Sequence, residues 1–363
     1  MHSAIYIFLL LLVLICLYFS SKGKLFCFIT LAILFLIGIF RGRAVGTDHL
    51  GYYDDFLLID DALDSLTLLR HNFELGFVFL IQFFKKYISH SYTLFSCLLF
   101  TIFYAGIIKI LKQTKTVTGL AILVFYCTGL YFNAYNLMRQ MMVIGLLYGI
   151  YPSLFNEKHK LISRYSIFTL VVVLFSVLFH NSEIIFLLVL PIHYFCYHKK
   201  CVISKIWLLC LVLGSFLLNF IGEKFFIGWI YEIADMMGAY TGYAQEKEQT
   251  SGTGFMAVLT LFGILSILYK NPKSRNIEFY IYLLGLMLMN VGNTMNDAGY
   301  RLSLSLFSIS IVAIPQIYKQ ASKFQRRQYS FITIIYCLAI FFWQYFYLNS
   351  GEISPYYTFY LDK

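Results

Sequence analysis

Charge is what this sequence has least of. Only 13% of its 363 residues are Asp, Glu, Lys or Arg, where a water-soluble domain carries about a quarter. With 60% apolar residues, the chain has outgrown any water-soluble surface, and a bilayer is the missing solvent. Recognisable nucleotide and metal motifs are also missing. There is no G-x-x-x-x-G-K-[ST], no G-x-G-x-x-G and no H-E-x-x-H, so nothing points to an ATP-driven pump or a metalloprotease. No tandem repeat is visible. The eight cysteines have no metal or redox spacing. Cys16, Cys27, Cys97, Cys127, Cys210 and Cys337 lie inside apolar runs, and Cys196 and Cys201 flank a Lys-rich loop. None falls in an expected outer loop, so no disulfide is expected, and neither metal nor cofactor. The N-terminus lacks a basic n-region and a small-residue cleavage site, so residues 4–19 read as a retained membrane helix.

What the chain has instead is a series of apolar runs of helical length. They fall at 4–20, 25–40, 91–111, 117–131, 137–155, 166–179, 183–196, 205–221, 253–269, 277–292, 302–318 and 329–348. The expected fold is all-α: one polytopic membrane domain over residues 1–363 with about twelve transmembrane helices. Several runs fall short of the roughly twenty residues a span needs, and those extend into polar flanks or border a thinned, water-filled region.

The net charge of +10 is spread over many short loops rather than one face, which argues against nucleic acid and for contacts to anionic headgroups. Every second loop is basic. Lys22 and Lys24, Lys112 and Lys115, Lys158 to Arg164, Lys199 to Lys205, Lys270 to Arg275 and Lys319 to Arg327 mark the cytoplasmic side. Both termini then face out, and most acidic residues share their side. Residues 41–90 form an outer loop whose 74–89 part is amphipathic or re-entrant, with Lys85 and Lys86 near headgroups. Residues 222–252 form a second outer loop that opens on the interfacial aromatic stretch FFIGWIYEI.

Polar residues recur at the outer ends of the spans, where charge is costly and tends to be functional. Arg41 and Arg43 close the second span, Arg139 and Gln140 open the fifth, and His180, Asn181 and Glu183 turn between the sixth and seventh. Asn296, Asp297 and Arg301 precede the eleventh. Arginines without a cysteine or histidine cluster suit an anion better than a metal, because the guanidinium fork binds phosphate oxygens and stays charged. A lipid-linked pyrophosphate places its anion at this depth. Blander readings stand beside this one: interfacial anchors for Arg41 and Arg43, an ion pair with Asp297 for Arg301, and a hairpin cap for His180. Asp54, Asp55, Asp60, Asp61 and Asp64 read as solvated loop charges.

The stretch RGRAVGTDHLGYYDDF resembles the R-x-x-x-G-T-D-Y-x-x-Y signature of EpsG-like, Wzy-type polysaccharide polymerases. Gly46, Thr47 and Asp48 supply the G-T-D, His49 stands at the common Tyr, and Arg41 and Arg43 flank the Arg position, which Gly42 holds. Further likenesses follow in order: Glu74 to Phe77 for E-x-G-F, Asn136 to Gln140 for N-x-x-R-Q, His180 to Ser182 for H-x-S, and Arg301-Leu302 for a late R-[LI]. The resemblance implies a relative of the C-type (GT-C-like) integral-membrane glycosyltransferases. Such an enzyme joins undecaprenyl-pyrophosphate-linked repeat units on the outer face of the bacterial cytoplasmic membrane, for an O-antigen, capsule or exopolysaccharide. A chain-length regulator is implied by resemblance only.

On this reading Arg41, Arg43, Arg139 and Arg301 hold pyrophosphate, with Gln140 and Asn181 as further substrate contacts. Asp48, His180 and Glu74 orient or deprotonate the acceptor hydroxyl. Tyr52, Tyr53 and Trp229 offer flat faces to sugar rings, or belong to the interfacial aromatic belt. Two other classes remain open: a flippase of the same lipid-linked unit, which predicts midplane charges and duplicated halves, and a membrane O-acyltransferase, which needs a catalytic His within reach of an acyl donor.

Overall fold

The computed structural model describes residues 4–20, 23–60, 73–114, 118–154, 164–219, 253–272, 274–293 and 296–358. Every regular element among them is helical. They gather into two compact units, Met1–Leu187 with Cys337–Lys363, and Leu188–Tyr336. The aromatic stretch with Trp229, the acidic residues Asp61 and Asp64, and Arg70 and His71 lie outside the described residues.

The first unit contains α1 (Ala4–Phe19), α2 (Leu25–Ile39), α3 (His49–Leu58), α4 (Leu75–Tyr87), α5 (Tyr92–Gln113), α6 (Thr118–Cys127), α7 (Leu130–Asn136), α8 (Met138–Leu154) and α9 (Arg164–Val177). Helix α6 is at its centre and is buried on every side from Gly119 to Cys127. The chain bends by 44° between α6 and α7. The bend falls at Gly129, whose φ of +87° suits a residue without Cβ, and a Cβ there would run into the Tyr345 hydroxyl. Helices α5 and α8 pack backbone to backbone, since a Cβ on Gly106 would enter the Gly145 carbonyl and one on Gly145 would enter the Phe103 backbone. Small residues permit such close approach where lipid offers no hydrophobic drive.

Buried tyrosines tie these helices together, because a hydroxyl in an apolar interior needs an acceptor. Tyr104, Tyr131 and Tyr356 donate to the carbonyls of Leu31, Leu34 and Ile37 at 2.7, 2.8 and 2.9 Å, a row along one side of α2. Tyr126 donates to the Tyr6 carbonyl at 2.8 Å, and Tyr6 in turn to the Ile353 carbonyl at 2.6 Å.

The second unit contains α10 (Val189–His193), α11 (Lys205–Asn219), α12 (Thr253–Tyr269), α13 (Ile277–Gly292), α14 (Asn296–Phe307) and α15 (Ser310–Gln320), and most of α16 (Lys323–Ile340). Gly285 lies against the backbone of Leu306 and Phe307, and Gly292 against Gly299. Asn290 accepts from Thr260 at 3.0 Å and donates to Ser215 at 3.0 Å, while Asn293 donates to Asn219 at 3.1 Å. These polar rungs link α11, α12 and α13 across apolar surface.

Among the described residues each apolar run contains helix and no strand is present, so the all-α expectation holds. Among the described residues one helix, Tyr92–Lys112, is long and apolar enough to cross a bilayer alone, and there are three such spans if each bent pair counts as one. The other apolar helices have 10–17 residues. At about 1.5 Å per residue they fall short of a hydrocarbon core about 30 Å thick. The segment 74–89 is a helix, α4, but Lys85 does not reach for headgroups. Its ammonium donates to the Ile59 carbonyl at 2.6 Å and lies 4.7 Å from the Phe56 ring centroid, capping the open end of α3. Helix α3 itself lies in what the sequence presents as outer loop.

Gly145→Val is expected to force α5 and α8 apart and to cost about 1–3 kcal/mol of stability. A melting temperature in detergent equal to that of wild type would contradict the close packing.

Candidate active site

The site grows from a helix start that breaks a local rule. Glu74 occupies the N-cap of α4, where Ser, Thr, Asp or Asn is preferred because a short side chain satisfies the free N–H groups. Glu74 caps nothing with its side chain. The Gly76 N–H is satisfied instead by the Leu178 carbonyl at 2.8 Å, just past the end of α9. Gly76 must be glycine for this approach, since a Cβ would stand 2.7 Å from that same oxygen. The exchange leaves the Glu74 carboxylate available elsewhere and fastens α4 to the turn that carries His180.

That carboxylate meets three donors. Oε2 accepts from the Arg139 guanidinium. Oε1 accepts from His180 Nδ1 at 3.1 Å and from the Asn181 backbone N–H at 3.2 Å. Burial alone would raise the Glu74 carboxyl, but the His180 hydrogen bond and the Arg139 charge outweigh it and hold the group below its ordinary value of 4.5. An ionised Glu74 at Nδ1 keeps the proton on that nitrogen, so Nε2 carries the lone pair. The side chains are only 9–13% exposed, and their interaction is screened less than a surface pair would be.

Arg139 is held from every side. Its Nε donates to the Tyr52 hydroxyl at 3.3 Å, and the guanidinium lies 4.2 Å from the Phe73 ring centroid and 5.5 Å from that of Phe77. Tyr52 is buried, with its ring stacked on Phe73 at 5.7 Å. It therefore serves the arginine from below rather than standing as an open platform. Next along α8, the buried Gln140 donates from Nε2 to the Ser182 hydroxyl at 3.1 Å.

The two arginines around Gly42 point to different environments. Arg41 is buried, donating to the Gly38 carbonyl at 2.7 Å and to Met138 Sδ at 3.2 Å, with its guanidinium 4.8 Å from the Tyr135 ring centroid. Arg43 is half-buried and lies 4.5 Å from the Tyr53 ring centroid. Asp48 accepts from the Thr47 hydroxyl at 3.1 Å at the start of α3. His49 is buried beside Tyr92, and burial first, then the Arg41 charge, push its pKa down to about 3. Its imidazole is neutral at any physiological pH. Arg301 belongs to α14 of the second unit.

The structure thus brings together Glu74, Arg139, His180, the Asn181 backbone and Tyr52. Gln140 is the neighbour of Arg139 on α8. Asp48, Arg43 and Tyr53 lie on and beside the turn that leads into α3. Phe73 and Leu178 take part without being singled out from sequence. The aromatic before the E-x-G-F stretch was the available sign for Phe73, and a backbone carbonyl leaves no sign at all. Among the described residues no group of His, Cys, Asp and Glu is arranged to hold a metal ion.

Because folding depresses the Glu74 pKa, its contribution to stability is complete above the ordinary value and is lost as pH falls through the folded one. The melting temperature is expected to hold from neutral pH into the ordinary carboxylate range and to drop only below it. Glu74→Gln should lose that acid limb and cost about 1.5–3 kcal/mol at neutral pH. Unchanged melting of the variant across this range would refute the assignment.

No curated protein and no solved structure matches the chain. A family model does match, that of the EpsG family, over residues 24–358. The match takes in all the motif residues described above. With its apolar helices it makes this a helical membrane protein, and it points to a role in polysaccharide polymerisation. The chain belongs to the EpsG family.

Proposed function

We propose that the protein is a membrane glycosyltransferase that polymerises oligosaccharide repeat units carried on undecaprenyl pyrophosphate. Donor and acceptor are both lipid-linked, and the reaction releases undecaprenyl pyrophosphate. The site faces outward from a multi-pass helical bundle in the bacterial cytoplasmic membrane, with both termini and residues 41–90 and 222–252 on the outer side. The positive-inside pattern of the loops supports this orientation.

The observation that carries the reading is the Glu74 carboxylate held between Arg139 and His180 Nδ1. Glu74 orients the imidazole, and His180 Nε2 takes the proton from the acceptor hydroxyl as its oxygen bonds to the anomeric carbon. The bond from that carbon to the pyrophosphate oxygen breaks, and the electron pair leaves with the pyrophosphate. A single displacement inverts the anomeric centre. The leaving pyrophosphate needs cationic stabilisation as the bond breaks. Arg139 is paired with Glu74, so its first role is to hold the carboxylate, and Arg43 on the turn before α3 is the candidate for the pyrophosphate. Asp48, on the same turn as Arg43, is the candidate for orienting the acceptor. No cofactor enters the scheme.

The test is the surface glycan of cells lacking the chain, complemented with wild type or variants. Wild type is expected to restore a polymer ladder, while Arg139→Ala stops at one repeat unit with the protein still in the membrane. His180→Ala is expected to lower turnover about a hundredfold or more, and Asp60→Asn to be nearly silent. Lipid-linked repeats accumulating on the cytoplasmic side of the null strain would indicate a flippase, and a full ladder lacking one substituent an acyltransferase. For orientation, a cysteine at Ser251 is expected to react with an impermeant thiol reagent added from outside, and one at Ser322 not to. The reverse labelling would overturn the topology.

A further inference from the structure

Asn136 ends α7, one residue before the break at Leu137 that opens α8. Its amide lies between two glycines held at positive φ, Gly46 at +107° in the G-T-D turn and Gly351 at +75° near the C-terminus. Nδ2 donates to the Gly351 carbonyl at 3.1 Å. A Cβ on Gly351 would run into Nδ2, and a Cβ on Gly46 into Oδ1. Both glycines are thus required twice, by their φ and by the amide that fills the space beside them.

The two segments also pair through their backbones. The N–H groups of Gly42, Gly46 and Thr47 donate to the carbonyls of Tyr357, Glu352 and Gly351 at 2.7, 3.2 and 3.2 Å. Arg41 and Thr358 form an antiparallel bridge. The C-terminal segment is folded on itself, with Asn349 donating to the Ser354 carbonyl at 2.7 Å and accepting from the Ser354 N–H at 2.9 Å. The hydroxyl of Tyr356 on this segment donates to α2, and the segment's Ile353 carbonyl accepts from Tyr6 of α1.

We propose that Asn136 is a positioning residue and that residues 349–358 are a strap of the active site, which together fix the G-T-D turn against the start of α8. The turn carries Arg43 and Asp48, and α8 carries Arg139 and Gln140. One break in the chain therefore sets the distance between the half of the site that meets the pyrophosphate and the half that holds the base. Asn suits the task because its Nδ2 donates to the strap while its Oδ1 fills the space beside Gly46 on the turn. Ala offers neither, and Asp would set an acceptor against the Gly351 carbonyl. This assignment of roles rests on the polymerase reading, while the clamp itself does not.

The experiment uses the full chain in lipid nanodiscs with lipid-linked repeat units as substrate, and compares Asn136→Ala, Gly351→Ala and the double variant. Each single change is expected to lower turnover about tenfold or more with KM within about twofold, as misplaced catalytic groups do. The double variant is expected to be no worse than the poorer single one, since the methyl added at Gly351 enters the space the amide has left. Turnover within about twofold of wild type, an effect confined to KM, multiplying losses in the double variant, or loss of both single variants from the membrane would each overturn the proposal. Hydrogen exchange at the Gly46 and Thr47 amides reads the clamp separately and is expected to accelerate at least about tenfold in Asn136→Ala. A wild type that extends no substrate would sink the polymerase reading alone, and unchanged exchange would then sink the clamp.

Discussion

The first unit is tied together by one carboxylate that is largely withdrawn from water. Glu74 is ionised where ionisation is costly, and what makes it tolerable is that its contacts come from distant parts of the chain: Arg139 from the start of α8, His180 and the Asn181 amide from the turn after α9. Each partner has its own support. Phe73 and Tyr52 hold the guanidinium, and Gln140 reaches Ser182 just beyond His180. Removing the carboxylate would take away the acceptor that joins the Arg139 guanidinium to the His180 imidazole. The pairing thus ties α4, α8 and the turn after α9 to one another.

The helices were legible in the sequence because the bilayer's demand for apolar runs is local and repetitive, and among the described residues every run contains helix. The breaks were less legible. The run at 117–131 became two helices bent at Gly129, and the run at 302–318 continues from α14 into α15 at 41°. These bends answer to partners far along the chain, such as the Tyr345 hydroxyl beside Gly129, and no short window of sequence contains that information. Helix α3 was hidden for another reason: its acidic and tyrosine-rich composition reads as loop, and its stability comes from Phe56 and Tyr52 packing inward and from Lys85 at its end.

For the site, the residue types and their order were readable, and the pairings were not. Arg139 lies 65 residues from Glu74 in sequence, and His180 lies 106. Arg41 and Arg43 look equivalent on either side of Gly42, yet one is sealed among Tyr135, Phe100 and Met138 while the other packs on Tyr53. His49 stands where the family's common residue is Tyr, and the sequence alone leaves the role of that position open. Buried beside a guanidinium, it is a neutral packing residue.

The row of tyrosine hydroxyls on α2 has a mechanical consequence. Their acceptors at Leu31, Leu34 and Ile37 are spaced three residues apart. An axial slip of α2 by even one residue, about 1.5 Å, would unseat all three donors together, and no neighbouring carbonyl on that side would receive them. The helix is therefore indexed against its neighbours, like a bolt engaged by three teeth. The register of Arg41 and Arg43 beyond its end, relative to α5 and α7, is set by these hydroxyls.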